Sequence, residues 1–502
     1  MRKLAKALLD WEAVIGLEVH TELTALKTKM FCDCKLSHDD PPNTNVCPVC
    51  LGLPGALPVP NSKAIEAIVM AGLSTNCQIQ RRTLFYRKHY FYPDMAKNYQ
   101  TTQGPVAFCM HGHLDVEVCA DAAKERPGLT VCKDADGSYV TTIRILRIHM
   151  EEDAAKMVHV GGAEGRIGGA TQSLIDYNRC GTPLIELVTQ PDLRTPEEAR
   201  LFMEKLRQAF LALGISDCSL EKGSMRCDGN VSIRRRGATE LGTKTELKNL
   251  NSLKSLHDAL AYEICRQAEV LEAGGTVRQE TRHWEPRKRR TVVMRVKETA
   301  DDYRMYPDPD LAPFDLPEEL IERCRARVPE LPDAKRDRYV ADYGLKVADA
   351  SKLAADPAVA DFFQKVVARE PELVGTIANV MINLVPAVRQ VTPAQVADLS
   401  GLLAKEAITF AQAREVLQIV DGTDANPSRV VDERGMRQST DVAALAAIAD
   451  QVLLRCAGQV QQYRDGNKRV VGYLVGQCMK AARGTGNPKL FGQILNAKLE
   501  KE

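Results

Sequence analysis

The stretch Val14-Ile15-Gly16-Leu17-Glu18-Val19-His20-Thr21-Glu22-Leu23 alternates with a period of two, the spacing of a β-strand that buries one face. Ile15, Leu17, Val19 and Leu23 line one side; Glu18, His20 and Glu22 line the other. Outward from it, residues 13 to about 300 are rich in short β-branched runs broken by Gly, Pro and Asn, the texture of a mixed sheet with irregular loops. From about residue 313 the texture changes to Ala, Leu, Glu, Lys and Arg at helical spacing, as in PEELIERCRARV and in Ala407 to Leu417. The fold class is therefore α+β, a mixed sheet followed by an all-helical half. Pro329 and Pro332 predict a joint, and a second boundary is expected near 400. Residues 121–138 and 160–169 read as loops whose ends pair as strands. Asn487, Pro488 and the stripe Leu490, Phe491, Ile494, Leu495 and Leu499 predict a docked terminal helix.

At 502 residues the chain exceeds what one core usually organises, so several domains are expected. No apolar run approaches the ~20 residues that span a bilayer, which excludes a membrane span. The basic opening MRKLAKALLD is soon interrupted by Asp10 and Glu12 and reads as a short lead-in, with an organellar address as the lesser possibility. Sixty-seven basic residues against 66 acidic ones give a net charge of +1, so any nucleic-acid partner must be held by local patches. Fifteen cysteines without a secretory signal point to reduced thiols and a cytoplasmic protein.

The most specific local pattern is Cys32, Cys34, Cys47 and Cys50, a CxC and a CxxC in a Pro- and Asn-rich loop. Two pairs of sulfurs aimed at one point suit tetrahedral zinc, and four thiolates leave no open position, so the metal would be structural. His38 lies inside the loop and is an alternative to one thiolate; four unligated thiols are the plainer explanation.

A second charged cluster follows the strand-like TTIRILRI: His149, Glu151, Glu152 and Asp153. Glu186 stands alone in the apolar run TPLIELV, where an unpaired carboxylate is costly to bury. Any one of these carboxylates would more often be paired with a nearby cation than catalytic. Together they can converge from separate strands to hold Mg²⁺ with few protein ligands, leaving positions for water and phosphate. The expected set is His20, Glu152 and Glu186, with Glu18 beside them. Strand alternation puts Glu151 and Glu152 on opposite faces, and the sequence leaves open which one points inward. Arg226, Lys248 and Arg304 are candidates for neutralising phosphate charge, with Asn249 and Asn251 to orient it. There is no P-loop: in GATELGTKT, from Gly237, the lysine is misplaced by one residue.

Along nearly its whole length the chain resembles the B-subunit family of the GatCAB tRNA-dependent amidotransferases. The resemblance rests on VIGLEVHTEL, NTNVCPVCLGLPGALPVPN, RKHYFYPDMAKNYQTTQ, RIHMEED, DYNRCGTPLIELV, GSMRCDGNVSIR, TELKNLNS, DDYRMYPDPDL and GYLVGQCMKAARGTGNP. It implies a cradle-shaped catalytic domain over 1–297, a helical domain over 298–404 and a helical tail related to YqeY over 405–502. It also implies ATP- and Mg²⁺-dependent phosphorylation of the side-chain carboxylate of misacylated Glu-tRNA(Gln) or Asp-tRNA(Asn). Ammonia from a glutaminase A subunit would then displace phosphate, and a small C subunit would bridge the two. The family's Mg²⁺ ligands fall on His20, Glu152 and Glu186, and Arg87, Lys88, Asp94 and Lys97 resemble part of its ammonia tunnel. Departures are Ala155, Ala96, and Met305 with Tyr306 in place of an aromatic pair; none touches the expected metal ligands. In the tail, Arg464, Lys468, Arg469, Lys480, Arg483 and Lys489 form a basic cluster suited to tRNA phosphates.

Overall fold

A computed structural model describes residues 4–500 apart from 38, 120–137, 163–167, 297–303, 389, 440 and 483–484. His38, Arg483 and the interiors of the loops at 121–138 and 160–169 lie outside the described residues. Two compact units divide between Leu331 and Pro332, at the expected joint.

In the first unit the strands are β1 (Trp11–Glu22), β2 (Gln78–Ile79), β3 (Arg82–Thr83), β4 (Phe85–His89), β5 (Tyr99–Gln103), β6 (Cys109–Val118), β7 (Tyr139–Glu152) and β8 (Lys156–Val160). They continue with β9 (Gln172–Asp176), β10 (Pro183–Thr189), β11 (Met225–Arg235), β12 (Thr245–Lys248), β13 (Glu280–Glu285), β14 (Arg290–Val296), β15 (Tyr306–Pro307) and β16 (Phe314–Asp315). Nine of them form one mixed sheet in the order β14-β13-β12-β11-β1-β10-β7-β6-β2, with β1 at its centre. The ends of the two sequence-predicted loops pair as expected, Val118 with Tyr139 and Val160 with Gln172.

The helices of this unit are α1 (Leu4–Asp10), α2 (Ser62–Ser74), α3 (Pro196–Leu213), α4 (Leu253–Glu272) and α5 (Glu318–Arg327). Among the strands of the described residues, β12 and β13 alone pair in parallel, and the intervening α4 is the crossover such a pair needs. Thr195 caps α3 by accepting from the Glu198 N–H, Pro196 opens it, and Gly214 at φ 66° closes it in the left-handed conformation. The apolar side of β1 (Ile15, Leu17, Val19) joins Phe202, Phe210, Leu256 and Leu260 in one buried core. Burying each such side chain contributes about 1.5–3 kcal/mol. The opposite face of the sheet is left to the polar residues of the same strands.

The first unit extends past residue 297, the expected limit of the catalytic domain, because β15 pairs with β4, β16 pairs with β3, and α5 packs on α2. Glu66 of α2 secures that packing: it is buried and accepts from Arg323 at 3.3 Å, Arg327 at 2.7 Å and Lys63 at 3.1 Å. Glu66→Gln removes the charge all three cations face, and we expect a loss of about 1–3 kcal/mol. The readout is the urea midpoint together with protease cleavage in 318–327; an unchanged midpoint and no new cleavage would count against it.

In the second unit every named element is helical, as expected. Helices α6 (Pro332–Tyr343), α7 (Val347–Ala354), α8 (Pro357–Val367), α9 (Val374–Asn383), α10 (Pro393–Ala404), α11 (Phe410–Val420) and α12 (Pro427–Glu433) share one core. Helices α13 (Val442–Arg455), α14 (Ala457–Arg464), α15 (Val470–Ala481) and α16 (Pro488–Leu499) share another. The expected break at 404/405 is therefore displaced. Val416, Leu417 and Val420 pack into the same cluster as Val396, Leu399 and Leu402, and the separation between cores falls between Met436 and Leu445. The terminal helix is as predicted: Asn487 accepts from the Lys489 and Leu490 N–H groups, and Phe491, Leu495 and Leu499 are buried. Among the described residues no single helix is long and apolar enough to cross a membrane.

Candidate active site and metal centres

Register brings the ionisable face together. His20 pairs across the sheet with Glu186 on one side and Arg226 on the other, and Glu18 pairs with Asp228. In turn Glu186 pairs with His149, and Leu184 with Glu151, so Glu151 projects on the same face as Glu186. One ligand atom from each of His20, Glu151 and Glu186 lies within 4.8 Å of the others. His20 Nε2 is 3.4 Å from Glu186, while His149 Nε2 bridges Glu186 at 3.1 Å and Glu151 at 3.2 Å. Two donors from β5 orient Glu151: Thr102 Oγ1 donates to its Oε1 at 2.7 Å and Gln100 Nε2 to its Oε2 at 3.0 Å.

Glu152 is not part of this group. As the next residue on β7 it points the other way, accepting from the Thr101 N–H at 2.8 Å and from the Lys97 ammonium. Of the two, the structure groups Glu151 with His20 and Glu186 and leaves the expected Glu152 on the other side, because alternation allows only one of them onto this face. Glu152 and Lys97 instead line a cleft of about 240 Å³ with Lys29, Arg87 and Tyr99.

The electrostatics follow from burial and partners. Burial opposes the charge on His149, but its hydrogen bonds to Glu151 and Glu186 outweigh it and lift the imidazole to about 9. Burial likewise opposes ionisation of Glu186, yet hydrogen bonds from His149 and His20 hold it well below the usual carboxylate range. Glu18 has its affinity for a proton raised, first by burial and then by Glu186, Asp228 and Glu246. It accepts from Asn230 Nδ2 at 3.1 Å and lies beside the triad rather than in it.

Of the three basic candidates, Arg226 and Lys248 share the face. Arg226 donates to Asp153 at 2.9 Å, and Lys248 pairs with Asp228 and with Glu246 at 3.3 Å. Arg304 lies just before β15 of the small sheet β15-β4-β5, where it is exposed and its carbonyl meets His89 Nδ1 at 3.1 Å. His149, Gln100 and Thr102 had no assigned role in the sequence; His149 was visible as part of RIHMEED, and the two β5 residues lie in RKHYFYPDMAKNYQTTQ, but nothing local shows that they reach Glu151.

The four cysteines do converge: the Sγ atoms of Cys32, Cys34, Cys47 and Cys50 lie within 4.8 Å of one another. Cys50 Sγ accepts from the Cys47 N–H at 3.2 Å and from the ammonium of Lys29 at 3.5 Å; Lys29 also donates to the Tyr177 carbonyl at 3.1 Å. The hydrogen bond from Cys32 pulls Cys50 down to about 5. Four soft donors, one of them readily ionised, beside a buried lysine with 1% exposure, fit a tetrahedral zinc. The loop is tied to β7 as well: the Met30 N–H donates to the Gly181 carbonyl at 2.8 Å, and the Gly181 N–H to the Asp153 carbonyl at 2.9 Å.

Residues 13–322 match the GatB/GatE catalytic domain and residues 361–499 match the GatB domain. The chain is 43% identical to the B subunit of the aspartyl/glutamyl-tRNA(Asn/Gln) amidotransferase of Carboxydothermus hydrogenoformans, over 98% of this chain and 99% of that one. It is 43% identical to the protein of that name from Anaeromyxobacter sp., with the same coverage, and 42% identical to that from Persephonella marina, over 98% and 100%. The chain belongs to the B-subunit family of these amidotransferases, and through it to a ligase-type enzyme complex of protein biosynthesis.

Proposed function

We propose that this protein phosphorylates the side-chain carboxylate of Glu-tRNA(Gln) or Asp-tRNA(Asn) at the expense of ATP and then amidates it. The observation that supports this best is the convergence of His20, Glu151 and Glu186 on one face of the central sheet, with Glu18 adjacent. Two carboxylates and an imidazole suit Mg²⁺, which when bound supplies positive charge to the phosphates. His149 holds Glu151 and Glu186 together from behind, and Thr102 and Gln100 fix the rotamer of Glu151. Arg226 and Lys248 provide cations on the same face for phosphate oxygens, with Arg304 further out, just before β15.

In the reaction a carboxylate oxygen of the substrate attacks the γ-phosphorus and ADP leaves. Ammonia then attacks the acyl carbon, phosphate departs with the electrons of the C–O bond, and the nitrogen loses a proton. Ammonia comes from a glutaminase A subunit, and a small C subunit completes a heterotrimer in the cytoplasm. Arg87 and Lys97, on the Glu152 side, line the cleft by which it would approach. Zinc in the four-cysteine loop is structural, and the basic tail (Arg464, Lys468, Arg469, Lys480, Lys489) contacts tRNA phosphates.

The test is isotopic. With the A and C subunits, Mg²⁺, ATP and glutamine, tRNA carrying ¹⁸O in the side-chain carboxylate should yield amidated product and one ¹⁸O in the released phosphate. Amidation with unlabelled phosphate would sink the phosphorylation step. Running Glu-tRNA(Gln) and Asp-tRNA(Asn) in parallel shows which substrate is used.

A further inference from the structure

The turn between β13 and β14 and the first residue of β14 carry Arg287, Lys288, Arg289 and Arg290 in succession, and all four are exposed. Glu285 pairs with Lys288 at 3.4 Å and with Arg290 at 3.2 Å. Arg287 and Arg289 have no ion-pair partner among the described residues. Four cations against one carboxylate make a strongly one-sided patch on a chain whose net charge is +1.

Register places the patch relative to the triad. Lys248 lies opposite His283, and the β11–β12 pairing sets Asn230 opposite Glu246 and so Asp228 level with Lys248. Glu285 lies two residues beyond His283, past the end of β12 and toward the end of the sheet where Arg226 and His20 pair. Thr281, His283 and Glu285 alternate onto the ionisable face, where Thr281 Oγ1 already donates to Glu246 at 2.6 Å, and Glu285 pairs across the last two strands with Arg290. The basic turn thus leaves β13 toward the end of the sheet where His20 lies. It stands four strand spacings from β1, roughly 19 Å at ~4.8 Å each.

We infer that this turn grips the phosphate backbone of the acceptor stem of the tRNA whose aminoacyl end enters the triad, a second tRNA contact far along the chain from the basic tail. The inference rests on the proposed function for the identity of the polyanion. Phosphate recognition by exposed Lys and Arg needs no base-reading geometry, which agrees with a turn that offers only flexible cations. Its charge also guards β14, the edge strand of the sheet, against pairing with another edge. The experiment separates these two roles.

The triple variant Arg287→Gln, Lys288→Gln, Arg289→Gln keeps Arg290 on Glu285 and is assembled with the A and C subunits. Binding of full-length tRNA and of an acceptor-stem minihelix is measured by fluorescence anisotropy between 50 and 200 mM KCl. For both RNAs the slope of log affinity against log salt should become shallower by about 2 to 3, with affinity at 100 mM lower by at least about tenfold. Glutaminase activity should be unchanged. Unchanged slopes overturn the inference, whether or not the variant self-associates in size-exclusion chromatography; so does a loss with full-length tRNA that the minihelix does not share. A wild-type trimer that binds tRNA without amidating it would refute the proposed activity, while the slopes still decide the docking.

Discussion

Replacing Glu151 by Gln should reduce ATP-dependent amidation by at least about a thousandfold, while Glu152→Gln leaves divalent-ion binding intact. The size follows from the chemistry: removing one anionic ligand forfeits roughly 4 kcal/mol of charge stabilisation around the phosphates, about three powers of ten in rate. Gln at 151 fills the same space and can still accept from Thr102, but it turns an NH₂ toward the amide of Gln100 and gives up the charge that His149 faces. Activity alone cannot separate the two positions, because Glu152→Gln strands the buried Lys97 ammonium and can impair the enzyme by that route. The deciding measurement is Mn²⁺ affinity by electron paramagnetic resonance in the assembled trimer. We expect it to be lost in Glu151→Gln and retained in Glu152→Gln; the reverse pattern would return Glu152 to the metal site.

Cys50→Ser should abolish zinc binding, where the wild type holds about one equivalent by plasma mass spectrometry, and should loosen residues 31–60. Serine offers a hard hydroxyl in place of a thiolate, and it takes away the sulfur to which the buried Lys29 donates. Zinc in small protein sites is bound by ~10–16 kcal/mol, so its loss removes a large share of what holds this loop together. The effect should reach Asp153 through the hydrogen bonds from Met30 to Gly181 and from Gly181 to Asp153, so hydrogen exchange is expected to quicken in 151–153 as well as in the loop. Lys29→Met keeps the bulk without the charge and should weaken zinc by about 10- to 100-fold in chelator competition. A wild type that folds fully without metal, or a Cys50→Ser protein with a full equivalent of zinc, would refute the assignment.

Much of this was legible in the chain itself. Alternation in 14–23 separated the core side of β1 from its ionisable side, and the four-cysteine loop, the helical second half and the cap of the last helix were each readable from local pattern, because each depends on residues a few positions apart. Domain limits were less accessible. The association of 306–327 with the first unit, and of α11 and α12 with α6–α10, depends on long-range packing that no local texture records.

The choice between Glu151 and Glu152 shows where local pattern stops. A period of two establishes that neighbours face opposite ways, but it has no sign; the sign comes from the pairing of β7 with β10, which sets Glu151 opposite Leu184 and thus beside Glu186. The roles of Thr102 and Gln100, and the placement of the turn at 287–290 toward the end of the sheet where His20 lies, arise from the same source. Sequence by itself determined the residue types and the two faces of each strand. Only the tertiary structure decided which side chains meet, because register is a property of pairs of strands and not of any one of them.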